Sequence, residues 1–220
     1  MIGLLTTFRK TRFYFSVIVC TLLPACTLFK PLPVKPIHYY TLAASSVPGA
    51  PLSAPQKKSI LLITEPRTNA IYNNTHMIYI PGRYQLQFFS QNRWADTPAH
   101  MLHPLLIKAL QNTGRFEAIL NTATTMRYDF ILNTQLLSFQ QDFLSHPSQF
   151  RIFLRAQLIN AKTPRILATQ DFTVVTWAPQ DNPQGGAQAA NCATRILLEK
   201  ITAFCLNNTN VQTRCKASSG

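Results

Sequence analysis

The first 26 residues constrain the fold most, because they determine which part of the chain remains to form a domain. Arg9, Lys10 and Arg12 form a basic head, and residues 13–23 are almost wholly apolar. A basic head, an apolar stretch of about 7–15 residues and a small residue before the cut are typical of a secretory signal peptide. The stretch is shorter than the roughly 20 apolar residues that a transmembrane helix needs. The sequence therefore predicts that residues 1–25 are removed and that the rest of the chain is exported.

The end of this segment, Leu23-Pro24-Ala25-Cys26, resembles the lipobox of bacterial lipoproteins. The resemblance implies cleavage between Ala25 and Cys26, a diacylglyceryl group on the sulfur of Cys26, and acylation of the new amino terminus, for example with palmitate. Several acyl chains on one residue exceed what stable membrane anchoring needs. Thr27 rather than Asp follows the cysteine, which by lipoprotein sorting rules favours the periplasmic face of the outer membrane. The alternative is an ordinary signal peptide with an incidental cysteine.

The net charge of the chain limits the kinds of partner that it is expected to bind. The formal net charge is +13, and +10 remains once the three basic residues of the predicted signal peptide are removed. On an exported chain such a charge points to anionic head groups or an acidic partner. Lys57-Lys58 is the only adjacent basic pair after residue 26. No basic run is interleaved with aromatic residues, so nucleic-acid binding is not predicted.

The exported part divides into three segments. Residues 26–37 carry three prolines and no glycine, and such a segment forms a semi-extended tether of about 3.1 Å per residue. Residues 38–207 have the length of a single periplasmic domain. Residues 208–220 form a C-terminal tail.

Local patterns predict strands, a helix, more strands and a last helix. The helix begins at Thr97-Pro98, where threonine can cap and proline fits the first turn, and ends at Gly114. In residues 148–159 apolar side chains alternate with Arg151, Arg155 and Gln157, which is typical of a strand with one buried face. Short connections between strands favour antiparallel pairing. The predicted fold is α+β, with a largely antiparallel sheet and two main helices packed on one face. Strands are predicted at 38–42, 60–64, 77–80, 84–89, 116–120, 128–139, 148–159 and 165–177, and the last helix at 184–206.

Motifs for catalysis or for cofactors are not evident. His100 and His103 are three residues apart on the predicted helix and could face one metal, but the sequence offers no third ligand. The eight acidic residues are scattered singly, so no paired-carboxylate site can be assigned. Gly185-Gly186 is better explained as the start of the last helix than as a phosphate cradle. We therefore expect no enzyme activity, no catalytic residues, no cofactor and no metal site.

Cys192, Cys205 and Cys215 remain after Cys26. If Cys192 and Cys205 share one helix, thirteen residues separate them by about 20 Å, and a disulfide needs Cα atoms within about 7 Å. The predicted disulfide is therefore Cys205–Cys215. The alternative is three free thiols with Cys192 buried.

Several segments together resemble the ABC-type transport auxiliary lipoproteins, the membrane-integrity subunits that accompany MCE (mammalian cell entry) lipid transporters. The similarity covers residues 39–204, and the order and spacing of the segments make it specific. The segments are Cys26, Tyr39-Tyr40-Thr41-Leu42, Arg93-Trp94-Ala95-Asp96-Thr97-Pro98, Gly114-Arg115-Phe116, Leu136-Leu137-Ser138-Phe139 and Gln141-Asp142-Phe143.

The resemblance implies a non-catalytic periplasmic subunit that works beside an MCE-domain protein, its permease and its ATPase, with direct contact to phospholipid left open. Trp94, Asp96 and Pro98 are its candidate motif residues. In one interpretation Trp94 anchors a loop in the core while Asp96, Thr97 and Pro98 start the helix. In the other, Trp94 lies at a partner surface.

Two rival functions belong to other classes. One is a structural or assembly lipoprotein of another envelope export or secretion machine. The other is a small periplasmic hydrolase, which the lack of a nucleophile–base pair disfavours.

Overall fold

The computed structural model describes residues 35–43, 59–123 and 125–216, with side chains defined as far as Thr209. The predicted signal peptide 1–25 and residues 26–34 of the predicted tether lie outside this part of the chain. Within it the chain forms a nine-stranded sheet, two α-helices and a short 3-10 helix. In chain order the elements are β1 (His38–Tyr40), β2 (Ser59–Ile63), β3 (Arg67–Thr68), the 3-10 helix (Ala70–Tyr72), β4 (His76–Ile80), β5 (Gln87–Trp94), α1 (Pro98–Gln111), β6 (Phe116–Leu120), β7 (Phe130–Asp142), β8 (Gln149–Asn160), β9 (Arg165–Trp177) and α2 (Pro183–Lys216).

The sheet is mixed, which corrects the largely antiparallel sheet predicted from the short connections. β7 pairs antiparallel with β8, and β8 pairs antiparallel with β9. Along its other edge β7 pairs in parallel with three short strands in succession: β2 at residues 130–132, β3 at 135–136 and β4 at 141–142. β1 with β5 and β2 with β6 are also parallel.

The parallel pairing of β2 with β6 follows from the position of α1. Parallel neighbours need a long crossover connection, usually a helix. α1 lies between the β4–β5 hairpin and β6, so the chain returns beside β2 running in the same direction. The local sequence pattern predicts every described strand except β3, but it contains no information about which edge a strand joins.

One face of the sheet is buried under the two helices. The predicted alternation in β8 is confirmed, because five apolar side chains from Phe150 to Leu158 are buried, while Arg151 and Gln157 are half-buried and Arg155 is exposed. Both helices contribute apolar side chains to the same core. Fully burying each large one contributes about 1.5–3 kcal/mol. From the helices these are Met101, Leu102, Leu105, Leu106, Leu110, Leu197, Leu198, Ile201 and Phe204.

α1 begins and ends close to where the sequence predicts. The side chain of Thr97 accepts a hydrogen bond from the amide of His100, and Pro98 is the first helical residue. The helix ends at Gln111, and Gly114 follows with φ 63°, which glycine adopts without a Cβ clash. Pro104 lies inside the helix and cannot donate to the carbonyl of His100.

α2 is 34 residues long, so it extends past the predicted end at residue 206. Gly185 and Gly186 lie in its first turn, as predicted for a helix start. A Cβ at Gly185 would overlap the carbonyl oxygen of Gln180, and one at Gly186 would overlap the side chain of Gln141. In the described part of the chain, neither α2 nor any other helix combines the length and apolar character needed to cross a bilayer.

Candidate functional site

Trp94 has a structural role. Its side chain is 1% exposed and packs edge-on against Phe139 and Phe150, with ring centroids 5.2 and 6.2 Å away. Its backbone amide donates to the carbonyl of Thr75 at 2.7 Å. A side chain so deeply buried cannot present area to a partner without unfolding. The structure therefore agrees with the interpretation of Trp94 as a core anchor and not with the partner-surface interpretation.

Asp96 and Pro98, the other two motif residues, start α1. The carboxylate of Asp96 accepts a hydrogen bond from the amide of Thr97 at 2.6 Å, and Pro98 occupies the first turn. A carboxylate here also interacts favourably with the positive end of the helix dipole. The segment 94–98 therefore joins a core anchor to a helix start.

The two histidines of α1 have separate partners. His100 lies 3.1 Å from the carboxylate of Glu65 and 3.3 Å from that of Asp96. Nε2 of His103 lies 3.0 Å from the carbonyl oxygen of Ile63. Among residues 35–43, 59–123 and 125–216, no group of three His, Cys, Asp or Glu side chains could hold a metal ion.

The cysteines of α2 differ from the predicted arrangement. Cys205 is a buried free thiol and Cys192 an exposed one, so the buried thiol is not Cys192. Burial raises the pKa of Cys205 to about 12. The helix continues to Lys216, and ten helical residues span about 15 Å, twice the reach of a disulfide. Cys205 is free in this structure, but the side chain of Cys215 lies outside the described residues, so the Cys205–Cys215 bridge stays a prediction.

The surface of β7, β8 and β9 opposite the helices, called the outer face below, carries arginines beside carboxylates. Nε and Nη2 of Arg155 donate to the carboxylate of Asp171 at 2.7 and 2.8 Å. This hydrogen-bonded pair lowers the pKa of Asp171 and raises the pKa of Arg155. Nη2 of Arg151 lies 3.7 Å from the carboxylate of Asp142. The outer face is thus charged but partly neutralised.

A polar pocket of about 190 Å³ opens on the outer face beside the gap between β2 and β3. Arg67 has no acidic partner among the described residues. A pocket this small and polar suits a head-group-sized anion rather than an acyl chain. Its lining residues are Thr64, Arg67, Asn133, Thr134, Gln135, Arg155 and Gln157.

Sequence reasoning missed this pocket. Arg67 is 88 residues from Arg155 along the chain, and the two lie close because β3 and β8 flank opposite edges of β7. The only sequence signal that could have pointed to it is the alternation that places Arg155 on the polar face of its strand.

Charge pairing leaves the excess of positive charge on the surface. All eight acidic residues of the chain lie in the described part, and seven are within 4 Å of a basic side chain. Several basic residues therefore have no acidic partner in the described residues, and they favour contact with anionic surfaces. They include Arg67, Arg83, Arg93, Lys108, Arg127, Arg165 and Lys200.

Comparisons with known proteins agree with the family resemblance. A model of the family described as ABC-type transport auxiliary lipoprotein component matches residues 40–202. A crystal structure of a Xanthomonas campestris protein is similar with a TM-score of 0.72 and 22% identity, covering 82% of this chain and 99% of that one. A structure described as an uncharacterized protein has a TM-score of 0.62 and 13% identity, covering 78% and 99%. At these identities the two structures show a shared fold alone. No curated protein matches the sequence.

Proposed function

Because this chain belongs to the family of ABC-type transport auxiliary lipoprotein components, we propose that it is the lipid-anchored auxiliary subunit of an MCE-type ABC lipid transport system. The observation that carries the proposal is the family match over residues 40–202. In this role the chain docks an MCE-domain protein, with its permease and ATPase, to the envelope and supports membrane integrity. The family is not an enzyme family, so no catalytic step is assigned to the chain.

The anchor in this proposal is Cys26. Cleavage after Ala25 leaves Cys26 as the acylated amino terminus, and Thr27 directs the protein to the periplasmic face of the outer membrane. The support comes from the apolar run and the small residue before the cysteine. The tether then lifts the domain into the periplasm, where it can reach its partner.

The outer face is the docking surface that we assign to the MCE-domain protein. Arg151 and Arg155 are only partly buried there, whereas Trp94 is inaccessible. Rim charges of this kind speed encounter, so association should slow as salt rises, with screening over about 8 Å at physiological ionic strength. The polar pocket beside Arg67 is available for a phosphate or carboxylate, including a phospholipid head group.

Genetic complementation tests this role. Loss of the gene should raise outer-membrane permeability, measured as uptake of a hydrophobic fluorescent dye. The wild-type gene should restore the barrier, and Cys26→Ser should not, because the unanchored chain is lost from the membrane. Cys192→Ser is the matched control, since Cys192 is an exposed free thiol, and it should restore the barrier fully.

Two results would contradict the proposal. If Cys26→Ser still incorporates labelled fatty acid, the anchor is elsewhere. If loss of the gene leaves permeability unchanged but stops export of a polysaccharide or a secreted protein, the chain is an assembly lipoprotein of another envelope machine.

A further inference from the structure

Three connections of the fold meet at one end of the sheet. Ile80 lies opposite Asp142, Asp142 opposite Gln149, and Gln149 opposite Trp177. The β4–β5 turn at 81–86, the β7–β8 loop and the β9–α2 connection therefore all project from the carboxyl end of β7. The backbone amide of Phe143 donates to the carbonyl of Ile80 at 3.0 Å, which joins the first two connections directly.

This end of the sheet exposes large apolar side chains. Tyr84 is 98% exposed, Leu144 58% and Trp177 59%, and Leu86 is also exposed. We call these four residues the tip. Single exposed apolar residues are ordinary on a protein surface, but several at one end of a sheet indicate an interaction site.

Three aromatic rings pack together at the strand ends next to the tip. Tyr79 stacks on Phe89 with ring centroids 4.4 Å apart, and Phe143 packs edge-on against both at 5.7 and 6.4 Å. Next to these rings the turn holds Tyr84 at φ 66°, a backbone conformation that costs free energy for a residue other than glycine. The amide of Gln85 closes the turn on the carbonyl of Gly82 at 3.1 Å. The chain thus maintains a strained turn whose effect is to present an aromatic side chain to the outside.

The length of the predicted tether limits how far the domain can lie from the membrane. β1 runs parallel to β5, with His38 opposite Asn92, and β5 itself starts at the tip end with Gln87. β1 therefore lies beside the end of β5 that is farther from the tip and runs away from the tip. Cys26 is twelve residues before His38, and twelve residues span at most about 40 Å when fully extended. A tether of this length keeps the domain near the membrane, so an exposed apolar end of the sheet can reach the bilayer.

We propose that the tip contacts the phospholipid bilayer in which Cys26 is anchored, with Tyr84 and Trp177 at the level of the head groups. Tyrosine and tryptophan are the residues enriched at this depth, because their rings are apolar at one end and polar at the other. Arg83, in the same turn as Tyr84, is exposed and has no acidic partner among the described residues, so it can pair with lipid phosphates. The proposal rests on the proposed lipid anchor, and it adds the orientation of the domain on the membrane.

Quenching by brominated lipid tests this orientation. The full-length acylated protein is reconstituted into vesicles of phosphatidylethanolamine and phosphatidylglycerol with bromine atoms near the top of the acyl chains. The chain has two tryptophans, and Trp94 is buried in the core. We expect bromine to quench the exposed tryptophan, and Trp177→Phe to abolish that quenching.

The matched control lies on the same strand. Ile166 is exposed at the other end of β9, eleven residues or about 36 Å from Trp177. In the Trp177→Phe background, Ile166→Trp should remain unquenched. Equal quenching at both ends, or quenching at neither, overturns the proposal.

The remaining outcomes separate this proposal from the proposed function. Flotation of the protein with the vesicles shows whether the lipid anchor holds the chain on the membrane. A protein that floats with Trp177 unquenched overturns the tip contact alone, and one that does not float overturns the anchor and the contact together. If Trp177 is unquenched by lipid but is shielded from aqueous iodide when the MCE-domain protein is added, the tip is a protein-docking surface and the bilayer contact is wrong. Association with the transport proteins is judged separately, by co-purification.

Discussion

At the scale of single residues, the two tryptophans occupy opposite environments. Trp94 closes the end of β5 and fills the core beside Phe139 and Phe150, whereas Trp177 ends β9 with its side chain exposed. Both residues come at or near a strand end, so the local pattern alone could not separate them. The difference lies in the neighbours: Trp94 packs against core side chains of β7 and β8, while Trp177 ends β9, which pairs with β8 at the edge of the described sheet.

Trp94→Ala should lower the free energy of unfolding by about 3–5 kcal/mol, because it removes a large buried side chain and leaves a cavity. Trp177→Ala should change it by no more than about 0.5 kcal/mol, as exposed positions usually do. Chemical denaturation of the two variants measures both values. If Trp94→Ala lowered the free energy of unfolding as little as Trp177→Ala, Trp94 would not anchor the core.

The thiols of Cys192 and Cys205 should differ in reactivity. A pKa of about 12 for Cys205 means that its thiolate is negligible at neutral pH, and burial also blocks access. Iodoacetamide should therefore label Cys192 in the native protein and Cys205 only after unfolding, as read by peptide mass spectrometry. Cys192→Ser should remove the label from the peptide that contains residue 192. A non-reduced peptide linking Cys205 to Cys215 would contradict the free buried thiol.

At the scale of elements, the last helix docks through its glycines. Alanine is favoured over glycine by about 1 kcal/mol within a helix, yet a Cβ at Gly185 would overlap the carbonyl of Gln180. The overlapping atom belongs to the backbone and cannot rotate away. Gly185→Ala should therefore lower the melting temperature. Gly82→Ala is the control, since a Cβ at residue 82 would lie 3.4 Å from its nearest neighbouring atom, an ordinary contact. If both variants melt like wild type, α2 does not approach residue 180 so closely.

The carboxylate of Asp181 links the β9–α2 connection to the β7–β8 loop at the tip end of the sheet. The amide of Ser148 donates to Asp181 at 2.5 Å, and His146 lies 3.0 Å from the same carboxylate. These hydrogen bonds, chiefly the one from the backbone amide, lower the pKa of Asp181. A lowered folded-state pKa means stabilisation that is present above the unfolded value of about 4 and is lost as pH falls through the folded value.

Asp181→Asn should consequently lower the melting temperature at neutral pH, and the difference from wild type should shrink as the pH falls below about 4. Glu199→Gln, which removes a surface pair with Arg195, should have little effect across the same range. A pH-independent difference for Asp181→Asn would show that packing, and not the charge of the carboxylate, stabilises the loop.

Most elements could be predicted from sequence, and their assembly could not. Alternation, caps and turn residues are local signals, and they located β8 and α1 within three residues, whereas β5 begins three and ends five residues later than predicted. The parallel edge of β7 depends on contacts between residues about 70 apart in the chain, which no local pattern encodes. The pocket at Arg67 and Arg155 was missed for the same reason, and so was the clustering of Tyr84, Leu144 and Trp177.

At the scale of the whole molecule, the sheet carries apolar, charged and aromatic side chains on different surfaces. The helices cover one face, the outer face carries paired arginines and a polar pocket, and one end carries the aromatic tip. Under the two proposals, the outer face around Arg155 contacts the transport protein, and the tip, which includes Trp177 at the end of β9, contacts the membrane. An auxiliary subunit with this arrangement would hold its partner at a set orientation above the bilayer.

Co-purification tests the central claim most directly. The full-length acylated chain is captured through a C-terminal tag from its own envelope, extracted in mild detergent, and the MCE-domain protein, permease and ATPase are quantified by mass spectrometry. We predict that all three are enriched, that raising the salt lowers their yield, and that Arg155→Glu lowers it further. Arg195→Glu, a charge reversal at a similarly exposed arginine on α2, should leave the yield unchanged. Capture of a folded, acylated chain with no MCE-domain protein at any salt concentration would contradict the account.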